Sequence, residues 1–146
     1  MMFSAAAILS AVVAVSANPL SARSDTVFDV TEFEAGCIPH SSQCRYSFGV
    51  VQANNGETIP VQCVLLATAN GGDLPNVTDA PCTDSSRTFS VVRGTEGLTL
   101  TVSQPVSPAS NETGSHLLAA SDLVTATQPN AEVESYEGPT SFPLVR

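Results

Sequence analysis

The chain has 146 residues, with five basic side chains (all Arg), fourteen acidic ones and a net charge of −9. That is the length of one domain, and an acidity that argues against binding phosphate backbones, so no nucleic-acid partner is expected. Anionic membrane surfaces are disfavoured on the same ground, and the bland meaning of the charge is solubility in an acidic or extracellular medium.

Residues 1–17 read as a cleavable signal peptide. An apolar run from Ala5 to Val15 ends in Val15-Ser16-Ala17, whose small residues suit a cut before Asn18. The run is too short to cross a bilayer, which takes about 20 residues. The C-terminal Phe142-Pro143-Leu144-Val145-Arg146 is too short and too charged for a lipid-anchor signal. A secreted, extracellular protein without membrane insertion is therefore expected, with residues 18–25 as a polar lead-in and residues 26–146 as a single β domain.

The first strand is expected over residues 26–33, where Phe28 and Val30 alternate with polar neighbours. Phe33 breaks the parity, which predicts a bulge near Thr31-Glu32. A loop between Cys37 and Cys44 follows. Tyr46, Phe48 and Val50 then alternate with Arg45, Ser47 and Gly49, a half-buried strand. Asn54-Asn55-Gly56-Glu57 gives a hairpin turn, and the partner strand is placed at residues 58–67, with Ile59, Val61, Cys63 and Leu65 on one face. Tyr46, Phe48, Ile59, Val61 and Leu65 form the expected core.

Residues 68–85 read as a long loop. Residues 88–93 and the alternating Leu98, Leu100 and Val102 are strands around the turn Gly94-Thr95-Glu96-Gly97. A Pro/Ser-rich connection is expected over residues 104–115, a strand pair over 116–120 and 123–127, a last strand over 131–136, and a tail after Gly138-Pro139. Sustained helical periodicity and internal repeats are absent after residue 17. Short strands with turn residues between them predict an all-β fold, a small antiparallel barrel or sandwich.

Four cysteines in a small secreted domain predict two disulfides. Three connectivities are possible, and the economical one pairs each cysteine across its own loop: Cys37 with Cys44, Cys63 with Cys82. The even count leaves none for an intermolecular bridge, so a monomer is expected, with at most a weak dimer. Asn76-Val77-Thr78 and Asn111-Glu112-Thr113 are N-glycosylation acceptors in expected loops.

The two histidines, His40 and His116, fall in no metal-ligand spacing. The chain has no Gly-x-Ser-x-Gly elbow and no phosphate-cradling Gly-rich loop. It also lacks Trp, the best sugar platform. No catalytic residue, metal or cofactor is assigned, and the protein is expected not to be an enzyme.

Phe28-Asp29-Val30 with Phe33, then Tyr46-x-Phe48-x-Val50, Asn55-Gly56 and Ile59-x-Val61-x-Cys63, resemble the small secreted fungal elicitors of the Alternaria major-allergen-like family, which includes hypersensitive-response-inducing proteins. Cys63 and Cys82 fit that family's bridged pair. Leu98-x-Leu100-x-Val102, Tyr136-Glu137-Gly138-Pro139 and Phe142 fit its C-terminal strands. The resemblance implies a β-barrel, secretion by a fungus, and recognition by a plant host protein or receptor. The chain departs from the allergens in lacking their C-terminal cysteine pair and the extra cysteine that links some members as dimers. It carries Cys37 and Cys44 instead, which makes Ile38, Pro39, His40, Ser41, Ser42 and Gln43 the expected recognition loop. Two other readings fit the residues: a binder of a small flavonoid-like ligand, and a protease inhibitor presenting the Cys37–Cys44 loop.

Overall fold

The computed structural model describes residues 25–128 and 131–146. The expected signal peptide and all but the last residue of the lead-in lie outside the described residues. Ten strands follow in chain order: β1 (Thr26–Cys37), β2 (Gln43–Gln52), β3 (Val61–Thr68), β4 (Val77–Pro81), β5 (Thr88–Gly94), β6 (Gly97–Ser107), β7 (Ser110–Ala119), β8 (Leu123–Gln128), β9 (Ala131–Tyr136) and β10 (Phe142–Val145). A 3-10 turn, Ala120–Asp122, joins β7 to β8.

The fold is all-β and antiparallel. The sheet runs β3-β2-β1-β10-β7-β6-β5-β4, and the β8–β9 hairpin is attached through β9 to β1. The path curls until its two ends meet: the Cys63–Cys82 disulfide joins β3 to the residue after β4, and the Thr83 N–H donates to the Gln62 carbonyl at 2.8 Å beside it. The sheet is a nearly closed barrel with a covalent staple at its seam.

Alternation supplies the core. Phe28, Val30, Tyr46, Phe48, Val50, Phe89, Val91, Leu98, Leu100 and Val102 are all at most 1% exposed and fill the barrel. Their rings pack edge-on, with Phe48 and Phe89 centroids 5.1 Å apart and Phe33 against Tyr136 at 5.2 Å. Such pairs add about 0.5–1.5 kcal/mol each beyond the area they bury. The bulge expected near Thr31-Glu32 is present: register shifts between Thr31 and Glu34, with Glu32 at φ 53°. It returns Phe33 to the interior. The β5–β6 turn closes on the Gly94–Gly97 pair. Gly97 sits at φ 140°, where a Cβ would lie 2.0 Å from the Leu118 carbonyl oxygen, so only glycine fits there.

Several boundaries differ from the sequence reading. The β2–β3 connection is wide, spanning residues 53–60, and β3 begins at Val61 rather than residue 58. Pro60 cannot donate to a ladder, and Glu57 is drawn off the strand path onto Gln52 N–H and Arg87. Ile59 is therefore 79% exposed, not core, while Val61 and Leu65 are half-buried against the core. The long loop contains β4, whose buried Val77 and Ala80 are three apart because Asp79 adopts φ 47° in a bulge. The Pro/Ser-rich connection is mostly strand, since β6 and β7 stay paired out to Ser107 and Ser110. β7 pairs with β6 and β10, and β8 with β9, so the strand pair expected around Ser121-Asp122 does not form. The tail ends in β10, inserted between β1 and β7.

Candidate functional site

The expected recognition loop is built from its base upward. Cys37 and Cys44 are direct partners in the β1–β2 register and are disulfide-bonded. Beyond them the Ile38 N–H donates to the Gln43 carbonyl at 2.9 Å. A turn follows, closed by the Ser41 N–H on the Ile38 carbonyl at 3.1 Å. Pro39 occupies its second position and His40, at φ 62°, its third. Proline followed by a positive φ is the type II arrangement. Ser41 Oγ accepts from the Gln43 N–H at 3.1 Å, closing the loop on itself. All six residues from Ile38 to Gln43 are exposed. The loop is thus a short, multiply tied projection with few internal freedoms.

Its surroundings are equally fixed. The Ala69 N–H reaches the Ser42 carbonyl at 2.8 Å, which ties the loop to the segment after β3. Residues 70–76 then cross the end of the barrel. Leu74 is fully buried there, and the Tyr46 hydroxyl donates to the Pro75 carbonyl at 2.8 Å inside the core. Burial pushes the Tyr46 hydroxyl far above its ordinary range, so it stays a neutral donor. Glu134, 7% exposed, accepts from the Leu74 N–H at 3.0 Å and from Arg93 at 2.5 Å. Arg93 in turn donates to the Leu74 carbonyl at 3.0 Å. Gly72, at φ 95°, lies so close to β9 that a Cβ would meet the Glu132 carbonyl oxygen at 2.4 Å. The platform under this loop is therefore clasped from β2, β5 and β9.

Two shallow clefts flank the loop. One, of about 770 Å³, lies between His40, Ser41 and Ser42 on one side and Gly71, Gly72 and Glu132 on the other. The second, of about 430 Å³, runs between Ile38, Pro39 and Arg45 and the Tyr136–Thr140 turn, with Phe33 in its floor. Tyr136 donates to the Pro139 carbonyl at 2.8 Å, and burial, with Asp122 adding to it, raises its hydroxyl above the usual value. Neither cleft opens into the barrel interior, which the core side chains occupy.

The remaining candidates separate. The Cys63–Cys82 bridge is at the seam, on the strand side of the barrel, and takes no part in the loop. Asn76 is exposed, its Oδ1 accepting from the Arg93 N–H at 2.9 Å. Asn111 is exposed on β7, opposite Pro105 near the tip of the β6–β7 hairpin. His116 is stacked on Phe142, centroids 4.1 Å apart, and burial lowers its pKa. Among the described residues, no three or more His, Cys, Asp or Glu side chains converge to hold a metal ion. Among the described residues, no helix is long and apolar enough to cross a membrane.

The sequence reading missed the Glu57–Arg87 pair. Arg87, 4% exposed, donates through Nη1 and Nη2 to the two Glu57 carboxylate oxygens at 2.7 Å each. It also reaches the Val50 carbonyl and Gln104. The guanidinium lies 5.5 Å from the Phe28 ring centroid. The one available signal was an arginine opening the run Arg87-Thr88-Phe89, at a position where an apolar strand begins. No protein-family model matches the chain, and a search of curated proteins returns no match.

Proposed function

We propose that this is a secreted, non-enzymatic elicitor or effector of fungal origin, recognised by a plant host protein through the loop of Ile38, Pro39, His40, Ser41, Ser42 and Gln43. The observation that carries the reading is the loop itself. Six consecutive exposed residues stand on a disulfide placed at their base, and a rigid projection loses little conformational entropy on binding. A core filled by its own side chains, two disulfides suited to an oxidising compartment, and the family resemblance support it. N-glycans on Asn76 and Asn111 belong to the same reading, since both side chains are exposed.

The test is infiltration of leaf tissue with the folded protein and with the reduced, unfolded protein. Cell death or an oxidative burst with the folded form alone supports the reading. Silence of the folded form over the whole dose range contradicts it.

The ligand-binding reading keeps one supporting observation, the cleft floored by Phe33 and edged by Tyr136 and Ile38. A flavonoid-like ring would lie in that surface groove and not inside the barrel. Tyrosine fluorescence titration tests it, and flat curves remove it. The inhibitor reading is the weakest of the three, because His40 at φ 62° turns the loop back on itself where an extended segment would be needed to pair with a protease.

A further inference from the structure

The barrel seam is stapled at one end and unzipped along the rest. Two hydrogen bonds fix which way the β3 backbone points. The Ala69 N–H goes to Ser42, on the β2 side, and the Gln62 carbonyl goes to Thr83, on the seam side. Antiparallel strands alternate these directions residue by residue. Val64, Leu66 and Thr68 therefore aim their N–H and C=O groups into the seam, away from β2. Among the described residues, the Thr83–Gln62 bond is the one backbone bond between the two banks.

The two banks differ. β4 carries the devices that protect a sheet edge: Pro81, which has no N–H, and a bulge at Asp79. β3 carries none of them. Its sequence, Val-Gln-Cys-Val-Leu-Leu-Ala-Thr, holds no charge in a chain of net charge −9. Val64 and Leu66 are 44% and 52% exposed on its outer face. Arg45, the cation opposite Leu66 on β2, is engaged by Glu34 at 3.5 Å. The facing bank is acidic and exposed. Asp79 lies on β4, its carboxylate accepting from the Ser90 hydroxyl at 3.5 Å, and Asp84 follows Thr83 at the stapled end.

We propose that the open edge of β3 is a strand-addition site for an extended peptide of a partner protein, with Lys or Arg alternating with small apolar residues. The backbone of such a peptide pairs with Val64, Leu66 and Thr68. Its inward side chains cover the half-buried Leu65 and Ala67. Its outward Lys or Arg stems lie along Val64 and Leu66, and their heads reach the aspartates of the opposite bank, as long cationic side chains do over apolar surface. This edge faces away from β2 and meets the Cys37–Cys44 loop only at its Thr68 end, where Thr68 is opposite Gln43.

The experiment titrates the full-length secreted protein with a labelled eight-residue peptide of alternating Lys and Val, read by fluorescence anisotropy, with amide exchange at Val64, Leu66 and Thr68. Three controls accompany it: the same peptide with Glu for Lys, the Lys peptide N-methylated at alternate residues on its pairing edge, and a loop-replaced protein in which residues 38–43 become a Gly/Ser loop. Saturable binding is expected, about tenfold or more weaker with either altered peptide, since each loses charge attraction or two or more backbone bonds. Binding should slow exchange at the three amides and persist in the loop-replaced protein. Leu66→Pro, which removes a seam-facing N–H and leaves the β2 ladder intact, should weaken binding while keeping the β circular dichroism signal. Absence of saturable binding, or equal binding of the Glu peptide, overturns the proposal. So does protection of the three amides in the protein alone: constant protection means that the chain covers its own edge, and protection rising with protein concentration means that a second copy does.

Discussion

Arg87 is the residue on which one end of the barrel depends. It is buried, bidentate to Glu57 and bonded to the β2 backbone and to Gln104 on β6. Removing one partner of a buried pair leaves an uncompensated charge. Arg87→Ala should therefore cost about 3 kcal/mol, the low end of the usual range because Glu57 keeps 26% exposure. The hydrogen bonds from Arg87 hold the Glu57 carboxyl below its ordinary value of 4.5, against a smaller opposing effect of burial. A depressed folded value gives stability that is present above the unfolded value and lost as pH falls through the folded one. Thermal melts from pH 6 down to about pH 2 should show a decline that Glu57→Gln flattens; parallel declines in the two proteins would count against it. Tyr46→Phe deletes the donor to the Pro75 carbonyl and leaves that carbonyl buried. It should lower the unfolding free energy by about 1–2 kcal/mol in urea, and an unchanged midpoint would mean that the segment over the barrel end is held without it.

At the scale of elements, the two disulfides have different tasks. Cys37–Cys44 closes a separation of 7 residues at the base of one loop, and Cys63–Cys82 a separation of 19 across the barrel seam. Chain entropy gives about 2 kcal/mol for the first and about 3 kcal/mol for the second. Replacing Cys63 and Cys82 together by serine should lower the melting temperature more than replacing Cys37 and Cys44. The reverse order would deny the seam its structural part. Strand alternation was legible wherever a strand keeps one parity, as in Leu98-Leu100-Val102. It was not legible in β4, where a bulge puts Val77 and Ala80 three apart, or at Ile59, whose apolar side chain continues the parity of Val61 and Cys63 although Pro60 and Glu57 take the backbone off the sheet. The arms of β6 and β7 were hidden by Pro105 and serines, because pairing with a neighbour outweighs local propensity there.

For the whole molecule, the chain's own order of elements concealed the closure. Cys63 and Cys82 look like the ends of a loop in one dimension. In the fold they are the two edges of an eight-strand path, and the intervening residues 70–76 cap the barrel below the Cys37–Cys44 loop. The site was legible as a loop bounded by cysteines. Its platform was not, since the Glu134–Arg93–Leu74 clasp joins residues as far as 60 positions apart. A rigid barrel carrying one tied, exposed loop is the physical basis for the recognition proposed. The most direct test replaces residues 38–43 by a Gly/Ser loop, keeps both disulfides, and compares leaf responses at matched dose after circular dichroism and melting confirm an intact barrel. Loss of the host response in a folded variant is the predicted result. A full response from that variant would contradict the assignment of recognition to this loop.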